Sequence, residues 1–235
     1  MMQAPLSEDG PIELLLFDFD GTLIDSKVDI ATSVNLTLRD LGLPQRTPEE
    51  IFGYVGDGVK RLLRLSVGEE NLGQYEQALQ VFREHYLTHC LDTTGFYPGI
   101  GAVLQYFKSV NKAVVTNKSS EYTLRILDGL GATDLFTTIE SPEDSSELKP
   151  DPGMLLRALE KLGVSPDRAV MVGDSTNDVR AAQAARIKVC AVGYGYGHRE
   201  KVMALAPDYY CEKPEDLIGV LGAHPSPEGS QACSP

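Results

Sequence analysis

The sequence predicts an α/β fold, with a doubly wound parallel sheet and a helical segment inserted after the first strand. Five short apolar runs with β-prone residues recur along the chain, and helical patterns separate most of them. Strands that are apolar almost throughout and alternate with helices are typical of a parallel sheet covered on both faces. The five runs are residues 14–17, 113–116, 137–139, 169–172 and 189–192.

The helical patterns carry apolar residues at helical spacing. Residues 122–127 and 154–159 are two examples from the second half of the chain. The pair Asp151-Pro152 predicts a helix start there, with aspartate as the N-cap and proline at the first helical position. This alternation of elements favours a Rossmann-like core for most of the chain.

One region interrupts the alternation. About ninety residues separate the first two apolar runs, which is more than a crossover helix requires. Helical patterns fill this interval, as in residues 59–65 and 75–91, and Thr47-Pro48-Glu49-Glu50 matches a capping box. We therefore expect a discontinuous core of residues 1–24 and 96–221 and a helical cap of residues 25–95. Residues 222–235 are expected to be disordered.

Composition excludes several classes of protein. The net charge of −13 argues against non-specific binding to nucleic acid or to anionic membranes. The chain has no basic, apolar leader and no membrane-length apolar run, so we expect a cytoplasmic protein. We also expect a monomer or a homodimer. The four cysteines form no CxxC pair, which argues against a disulfide framework and a structural zinc site.

Two carboxylates stand directly after the first apolar run. The segment reads Leu16-Phe17-Asp18-Phe19-Asp20-Gly21-Thr22-Leu23. Acids at the carboxyl end of a hydrophobic strand are costly unless a cation or hydrogen bonds receive them, and ligands of open α/β sheets bind at that end. Asp-Gly is also a common turn pair, so the segment by itself fits ordinary turn chemistry equally well.

Three further segments are predicted to lie beside Asp18. Thr116 and Asn117 end the second run, Lys149 precedes Pro-Asp-Pro, and Asp174 follows another strand, with Asp178 four residues on. Each has a structural interpretation as well: a β-prone threonine with a turn-forming asparagine, a surface lysine, and a capping box from Ser175 to Asp178. The capping box leaves Asp174 unexplained.

Taken together, these residues favour a catalytic site over separate structural roles. Three or four carboxylates at one sheet edge repel one another unless something positive lies between them. Oxygen ligands suit Mg²⁺, which binds one or two carboxylates and leaves positions for phosphate and water. A carboxylate nucleophile, a cation, a lysine and a hydroxyl are the groups that phosphoryl transfer requires.

The chain resembles the haloacid dehalogenase superfamily, whose four motifs can be found in order. They are Asp18-Phe19-Asp20-Gly21-Thr22-Leu23, Thr116-Asn117, Lys149-Pro150, and Gly173-Asp174-Ser175 with Asp178. The helical insert resembles the cap that this superfamily places after the first motif. Asp20 is what a phosphatase or phosphomutase of the superfamily needs, since dehalogenases and phosphonatases lack an acid there.

The resemblance implies a role for each acid. Asp18 would attack phosphorus and become an aspartyl-phosphate, and Asp20 would protonate the leaving oxygen and then activate water. Asp18, the backbone carbonyl of Asp20, and Asp174 would hold Mg²⁺. Asp178 would be an auxiliary metal ligand or would contact the residues that bind the metal.

By the same resemblance, Thr116, Asn117 and Lys149 would bind the phosphoryl oxygens, and Lys149 would also offset the charge of Asp18. The cap would choose the substrate. Gly58 would offer backbone N–H groups at a helix start, and Lys60 and Arg64, on one helix face, are either contacts to an anionic substrate or ordinary surface charges.

The resemblance is strongest to the phosphoglycolate phosphatase branch, through residues 25–35, Gly56-Asp57-Gly58 and residues 192–197. The expected activity is hydrolysis of a small anionic phosphate ester, with 2-phosphoglycolate foremost. A phosphomutase and a pyrophosphatase remain alternatives, although β-phosphoglucomutase-like members carry a histidine near the position of Ile30. A non-catalytic binding protein is the alternative from a different class.

Overall fold

The computed structural model describes residues 11–143 and 146–222. Its centre is a six-stranded parallel sheet in the order β5-β4-β1-β6-β7-β8. The strands of this sheet are β1 (Leu14–Phe17), β4 (Asn111–Val115), β5 (Thr138–Glu140), β6 (Ala169–Gly173), β7 (Lys188–Val192) and β8 (Tyr209–Cys211). Two short strands, β2 (Ile24–Asp25) and β3 (Gly95–Phe96), pair separately and antiparallel.

Helices connect consecutive strands of the sheet and cover both of its faces. These helices are α5 (Ile100–Tyr106), α6 (Ser120–Gly129), α7 (Gly153–Leu162), α8 (Thr176–Ala185), α9 (Arg199–Met203) and α10 (Asp216–Leu221). Successive residues of β1 point to opposite faces: Leu15 and Phe17 join the cluster that includes α5 and α6, whereas Leu14 and Leu16 join the one that includes α7 and α8. The predicted doubly wound sheet is therefore confirmed.

Four further helices lie between β2 and β3. They are α1 (Lys27–Asp40), α2 (Pro48–Phe52), α3 (Gly58–Val67) and α4 (Tyr75–His89). Helix α1 packs along α4, and the apolar cluster on one face of the sheet continues into these helices through residues such as Leu62 and Phe82. The expected capping box is present, because Thr47 and Glu50 exchange side chain-to-backbone hydrogen bonds at the start of α2.

Two details differ from the sequence-based expectation. The sheet has a sixth strand, β8, which was not among the five predicted runs because its two tyrosines and one cysteine form no run of aliphatic residues. Pro152, and not Asp151, is the N-cap of α7; Asp151 Oδ1 instead accepts a hydrogen bond from the backbone N–H of Gly153 at 2.8 Å. Of the segment predicted to be disordered, only Gly222 is described, and residues 223–235 lie outside the described residues.

The described cysteines Cys90, Cys190 and Cys211 are free and buried, as the absence of a CxxC pair predicted. Cys233 lies outside the described residues. In the ranges that the model describes, no helix combines the length and the apolar character that crossing a bilayer requires.

Asp29 ties the first turn of α1 to the segment that leads into β3. One carboxylate oxygen accepts hydrogen bonds from the backbone N–H and hydroxyl of Thr93 at 3.0 and 2.6 Å. The other accepts the corresponding bonds from Thr94 at 2.8 and 2.7 Å. Burial alone would raise the pKa of Asp29, but the bonds from Thr93 and Thr94 outweigh it and hold the pKa below its usual value.

Asp29→Asn is expected to lower the free energy of unfolding at pH 7 by about 1–3 kcal/mol, because an amide N–H₂ would face donors that now meet a carboxylate oxygen. Since the folded-state pKa of Asp29 is lowered, its contribution is present above the unfolded-state pKa of about 3.9 and is lost as pH falls through the folded value. Denaturant unfolding at pH 7 and in acid measures both effects.

The matched control is Asp128→Asn, which changes an exposed acid on α6. It should alter the free energy of unfolding by less than about 0.5 kcal/mol. Equal effects of the two substitutions would contradict the role given to Asp29.

Candidate active site

The predicted site residues meet at the carboxyl edge of the sheet. Strand β1 lies between β4 and β6, with Phe17 in register with Val114 and Val172. Asp18 follows β1, Thr116 follows β4, and Asp174 follows β6. Because neighbouring parallel strands end at the same edge, three segments that are distant in sequence become adjacent.

Asp18 is held by contacts to one of its two oxygens. Asp18 Oδ1 accepts a hydrogen bond from the Phe19 N–H at 2.7 Å and lies 2.9 Å from Lys149 Nζ. Burial, followed by the charge of Asp178, raises the pKa of Asp18 to about 8. In the absence of a cation, this carboxylate is therefore destabilised in its charged form.

Lys149 is the buried cation at the centre of the acids, with 3% of its surface exposed. Its Nζ lies 2.9 Å from Asp18 Oδ1 and 2.6 Å from Asp178 Oδ1, and it donates to the Val115 carbonyl at 2.8 Å. Burial alone would lower the pKa of Lys149, but the charges of Asp178 and Asp18 outweigh it and raise the pKa above its usual value. Lys149 therefore stays charged and neutralises part of the acidic cluster.

Asp174 is fixed by backbone donors from a loop after β7. Its Oδ2 accepts hydrogen bonds from the N–H groups of Tyr196 at 2.6 Å and Gly197 at 2.9 Å. Burial and then the charge of Asp178 raise its pKa to about 6. Gly21 makes room on the opposite side, since at its φ of +84° a Cβ would lie 2.6 Å from Asp174 Oδ2.

Asp18, Asp174 and Asp178 form an acidic cluster in which one ligand atom of each lies within 4.8 Å of the others. Both oxygens of Asp178 already have partners, Lys149 on one and the N–H and hydroxyl of Ser175 on the other. The capping box from Ser175 to Asp178 is thus present together with the ion pair. Three closely spaced carboxylates, two of which (Asp18 and Asp174) have raised pKa values, and one compensating lysine fit a hard divalent cation such as Mg²⁺.

The Asp20 carboxylate is not part of this cluster and points to the cap side. Asp20 Oδ1 accepts a 2.5 Å hydrogen bond from Ser26 Oγ. Lys118 Nζ lies 2.9 and 3.0 Å from the two oxygens. A metal contact of Asp20 through its backbone carbonyl stays a prediction.

Lys118 is a site residue that the sequence analysis missed. It directly follows Thr116-Asn117, it is buried, and its ammonium lies 4.8 Å from the centre of the Tyr86 ring. The available signal was its position one residue beyond the second motif. A lysine at this position lies at the same strand end as Thr116 and Asn117, so its side chain can reach the same site.

The structure changes the interpretation of Asn117. Both N–H bonds of its amide are used, one to the Lys149 carbonyl at 3.1 Å and one to the Gly56 carbonyl at 2.9 Å, and its oxygen accepts from the Lys149 N–H at 2.7 Å. The side-chain amide therefore supports Lys149 and reaches Gly56, and a contact of Asn117 to phosphate stays a prediction. Thr116 is buried at the strand end, where its hydroxyl accepts from the Lys118 N–H at 3.1 Å.

A cavity of about 60 Å³ lies on the cap side of Asp18 and Asp20. The helical segment, Thr116 to Ser119 and Tyr122 enclose it. Its apolar walls come from Ile30, Val55, Val59, Leu62 and Phe82, and its other lining residues are Gly56, Gly58, Tyr86 and Asn117. A second cavity of about 270 Å³ opens on the other side of the two acids, between Phe52–Asp57 and Asp174–Asn177.

Of the three predicted cap contacts, only Gly58 lines the cavity. Lys60 and Arg64 do share a helix face, but that face is exposed, and Arg64 pairs with Glu69 at 3.1 Å. Helix α3 turns its apolar side, with Val59 and Leu62, toward the cavity because burying that side stabilises the packing on α1 and α4. The exposure of Lys60 and Arg64 fits the alternative that they are ordinary surface charges, and a substrate contact of either residue stays a prediction.

Comparison with known proteins gives consistent matches. Residues 15–192 match the model of a family described as haloacid dehalogenase-like hydrolase. The phosphoglycolate phosphatase of Aquifex aeolicus is 36% identical over 215 residues, which cover 91% of this chain and 98% of that protein. The phosphoglycolate phosphatase of Chromobacterium violaceum is 37% identical over 192 residues, which cover 79% and 86%.

A solved structure from Haemophilus somnus, described as a predicted phosphoglycolate phosphatase, has a TM-score of 0.81 and 27% identity to this chain. The superposition covers 89% of this chain and 97% of the other. The likeness therefore includes the sheet and the helices between β2 and β3.

The affinity of the acidic cluster for Mg²⁺ is expected to increase with pH. A divalent cation binds the deprotonated carboxylates, and the pKa values of Asp18 and Asp174 are raised to about 8 and about 6. Between pH 8 and pH 6, Mg²⁺ must displace a proton from Asp18, so its affinity should fall by about 10- to 100-fold. Titration calorimetry at the two pH values measures this.

Asp128→Asn provides the control, since it removes an acid that is remote from the cluster and should leave the pH dependence unchanged. An affinity that is the same at pH 6 and pH 8 would show that the raised pKa values do not govern cation binding.

Proposed function

The chain belongs to the haloacid dehalogenase-like hydrolase family, and we propose that it is a Mg²⁺-dependent phosphatase that hydrolyses a small phosphomonoester, with 2-phosphoglycolate foremost. The observation that carries the proposal is the meeting of Asp18, Lys149 and Asp174 at one sheet edge beside a small cavity. Relatives named phosphoglycolate phosphatase, at 36% and 37% identity, support this choice of substrate.

In the proposed reaction, Asp18 attacks phosphorus and the bond to the leaving oxygen breaks, which gives an aspartyl-phosphate. We assign the attack to Oδ2, because the contacts that described residues make to this carboxylate fall on Oδ1. Lys149 orients Asp18 and counters part of the rise in its pKa, and it would offset the negative charge that gathers on the phosphoryl oxygens. The hydroxyl of Thr116, which follows β4, would contact those oxygens.

Asp20 completes the proton transfers. It would give a proton to the leaving oxygen in the first step and accept one from the attacking water in the second, which releases phosphate and restores Asp18. Ser26 and Lys118 hold its carboxylate on the cap side, where the leaving group must lie. Mg²⁺, held by Asp18, Asp174 and the Asp20 carbonyl with Asp178 in support, would supply charge neutralisation.

Residues 25–95 are proposed to act as the cap, with residues 1–24 and 96–221 as the core. The antiparallel pair β2–β3 stands where the chain leaves the core and returns to it. Contacts that join the two parts include those of Asn117 to the Gly56 carbonyl, Asn177 to Asp57 at 2.7 Å, and Arg83 to Glu121. Such closure would exclude water from the phosphoryl group during the first step.

The alternatives on the same scaffold predict different products. Ile30 lines the cavity near where β-phosphoglucomutase-like members carry a histidine, and an aliphatic side chain cannot exchange protons with a sugar. This favours hydrolysis over a phosphomutase. A pyrophosphatase would need no organic leaving group, so the apolar walls of the cavity favour an ester.

A panel of phosphate esters, sugar phosphates and pyrophosphate, assayed with Mg²⁺ and with EDTA, tests the proposal. We expect release of inorganic phosphate from 2-phosphoglycolate with Mg²⁺ and its loss with EDTA, because the acids repel one another without a cation. Turnover in EDTA would contradict the mechanism. An isomerised sugar phosphate would indicate a mutase, preferential turnover of pyrophosphate a pyrophosphatase, and binding without turnover of any ester a binding protein.

Asp18→Asn is expected to lower kcat by about 10⁴-fold or more, since the amide is a poor nucleophile of nearly the same size. Circular dichroism should show an unchanged fold. Asp128→Asn, which makes the same chemical change on the surface of α6, should keep full activity. Substantial turnover by the Asp18→Asn variant would remove Asp18 from the role of nucleophile.

A further inference from the structure

Tyr86 lines the cap-side cavity and carries a buried hydroxyl without a hydrogen-bond partner. The residue is 1% exposed, and among the described residues its Oη has no hydrogen-bond partner. Burying a hydroxyl without a partner costs about 1–3 kcal/mol. Tyrosines on the other side of the same acids do have partners: Tyr194 donates to the Thr22 carbonyl at 3.0 Å and Tyr196 to Asp25 at 3.1 Å.

The position of the Tyr86 ring is set by its aromatic neighbours. The ring stacks on Phe82 at a centroid distance of 5.3 Å and meets the edge of Tyr122 at 5.0 Å. All three residues line the cavity. Because this packing fixes the ring, the hydroxyl cannot easily turn away to find water. Its unused hydrogen-bonding capacity therefore remains next to the cavity that the residue lines.

The Tyr86 hydroxyl is a donor at neutral pH. Burial, followed by the negative charge of Asp20, raises the pKa of Tyr86 well above its usual value. The ammonium of Lys118, over the face of the same ring, is the one cation among the described residues that line this cavity. Two of its three N–H bonds are matched by the two oxygens of Asp20, which leaves the third for another acceptor.

The aliphatic walls are unsuited to a charged group. Ile30, Val59 and Leu62 offer no donor, and an anion placed against them would lose its hydration without compensation. An anionic part of a substrate is therefore confined to the polar lining, where Tyr86 and Lys118 stand with Gly58, Thr116 and Ser119, and Lys118 supplies the positive charge. A volume of about 60 Å³ has room for a group of a few non-hydrogen atoms.

We propose that Tyr86 Oη and Lys118 Nζ together bind a carboxylate on the leaving group, so that the substrates are phosphate esters of small hydroxy acids. This inference rests on the proposed phosphatase function and adds the residues that select the ester. The phosphoryl group lies at Asp18, the carboxylate lies at Tyr86, and the few atoms between them lie against the apolar walls. Sugar phosphates are disfavoured because their hydroxyls would meet aliphatic side chains.

The experiment compares 2-phosphoglycolate with ethyl phosphate, which replaces the carboxylate by a methyl group. Tyr86→Phe removes the hydroxyl and keeps the ring. It should lower kcat/KM for 2-phosphoglycolate by about 10- to 100-fold, the usual effect of losing a hydrogen bond to a charged group. For ethyl phosphate, kcat/KM should stay within about twofold, since that ester has no group for the hydroxyl to bind.

Tyr97→Phe is the matched control. Tyr97 also has a buried hydroxyl and an aromatic neighbour, Tyr194, but it lines neither of the two cavities. Its substitution should leave both kcat/KM values unchanged. Thermal unfolding of both variants checks that each one folds.

An equal loss on the two esters, or no loss on either, would overturn the proposal for Tyr86. Calorimetric binding of 2-phosphoglycolate, with Mg²⁺, to Asp18→Asn with and without Tyr86→Phe tests the same contact without turnover, and equal affinities would also overturn it. Failure to hydrolyse any ester would refute the proposed function, while this binding comparison would still decide whether Tyr86 contacts the carboxylate.

Discussion

The arrangement of this protein depends on an excess of negative charge at the carboxyl edge of its sheet. Asp18, Asp174 and Asp178 converge there around Lys149, and one ammonium cannot balance three carboxylates. The fold places them there at a cost, which is visible in the raised pKa values of Asp18 and Asp174. That cost makes the edge attractive to a divalent cation and, with one bound, to a phosphoryl group.

Asp20 and Lys118 form a second ion pair, for which we propose a different role. Asp20 faces Lys118 and Ser26 on the cap side, so its carboxylate is separated in direction from the cluster although Asp18 is only two residues away. Their partners show this divergence, since Asp18 contacts Lys149 and Asp20 contacts Lys118. One strand end thereby supplies an acid to the proposed attack on phosphorus and another to the proposed proton transfer.

The sequence predicted the positions of the motif residues well because a strand end determines where the next side chain lies. Asp18 and Asp174 were assigned to one sheet edge on the order of apolar runs alone, and the parallel register confirms their proximity. The bonds of the Asn117 amide could not be predicted, because a sequence shows which groups can form hydrogen bonds, but not which are already used. Lys60 and Arg64 were correctly placed on one face of α3, yet helical periodicity does not show which face meets a cavity.

Tyr86 could not have been found in this way. In the sequence it is one aromatic residue on the apolar side of a long helix, where a tyrosine is usually a packing residue. Tyr86 stands out because its hydroxyl has no hydrogen-bond partner among the described residues. That depends on its three-dimensional surroundings and cannot be read from residue spacing or composition. The same holds for the pairing of Lys118 with Asp20 across 98 residues of chain.

The two N–H bonds of the Asn117 side-chain amide go to different parts of the protein, and this bears on movement of the helical segment. One of its N–H bonds stays within the core at Lys149, whereas the other reaches the Gly56 carbonyl in the helical segment. If that segment moves outward, the bond to Gly56 is exchanged for one to water, a change worth about 0.5–1.5 kcal/mol that adds to the loss of the Asn177–Asp57 and Arg83–Glu121 contacts. The bonds between Asn117 and Lys149 lie within the core, so Lys149 keeps this support while the helical segment moves.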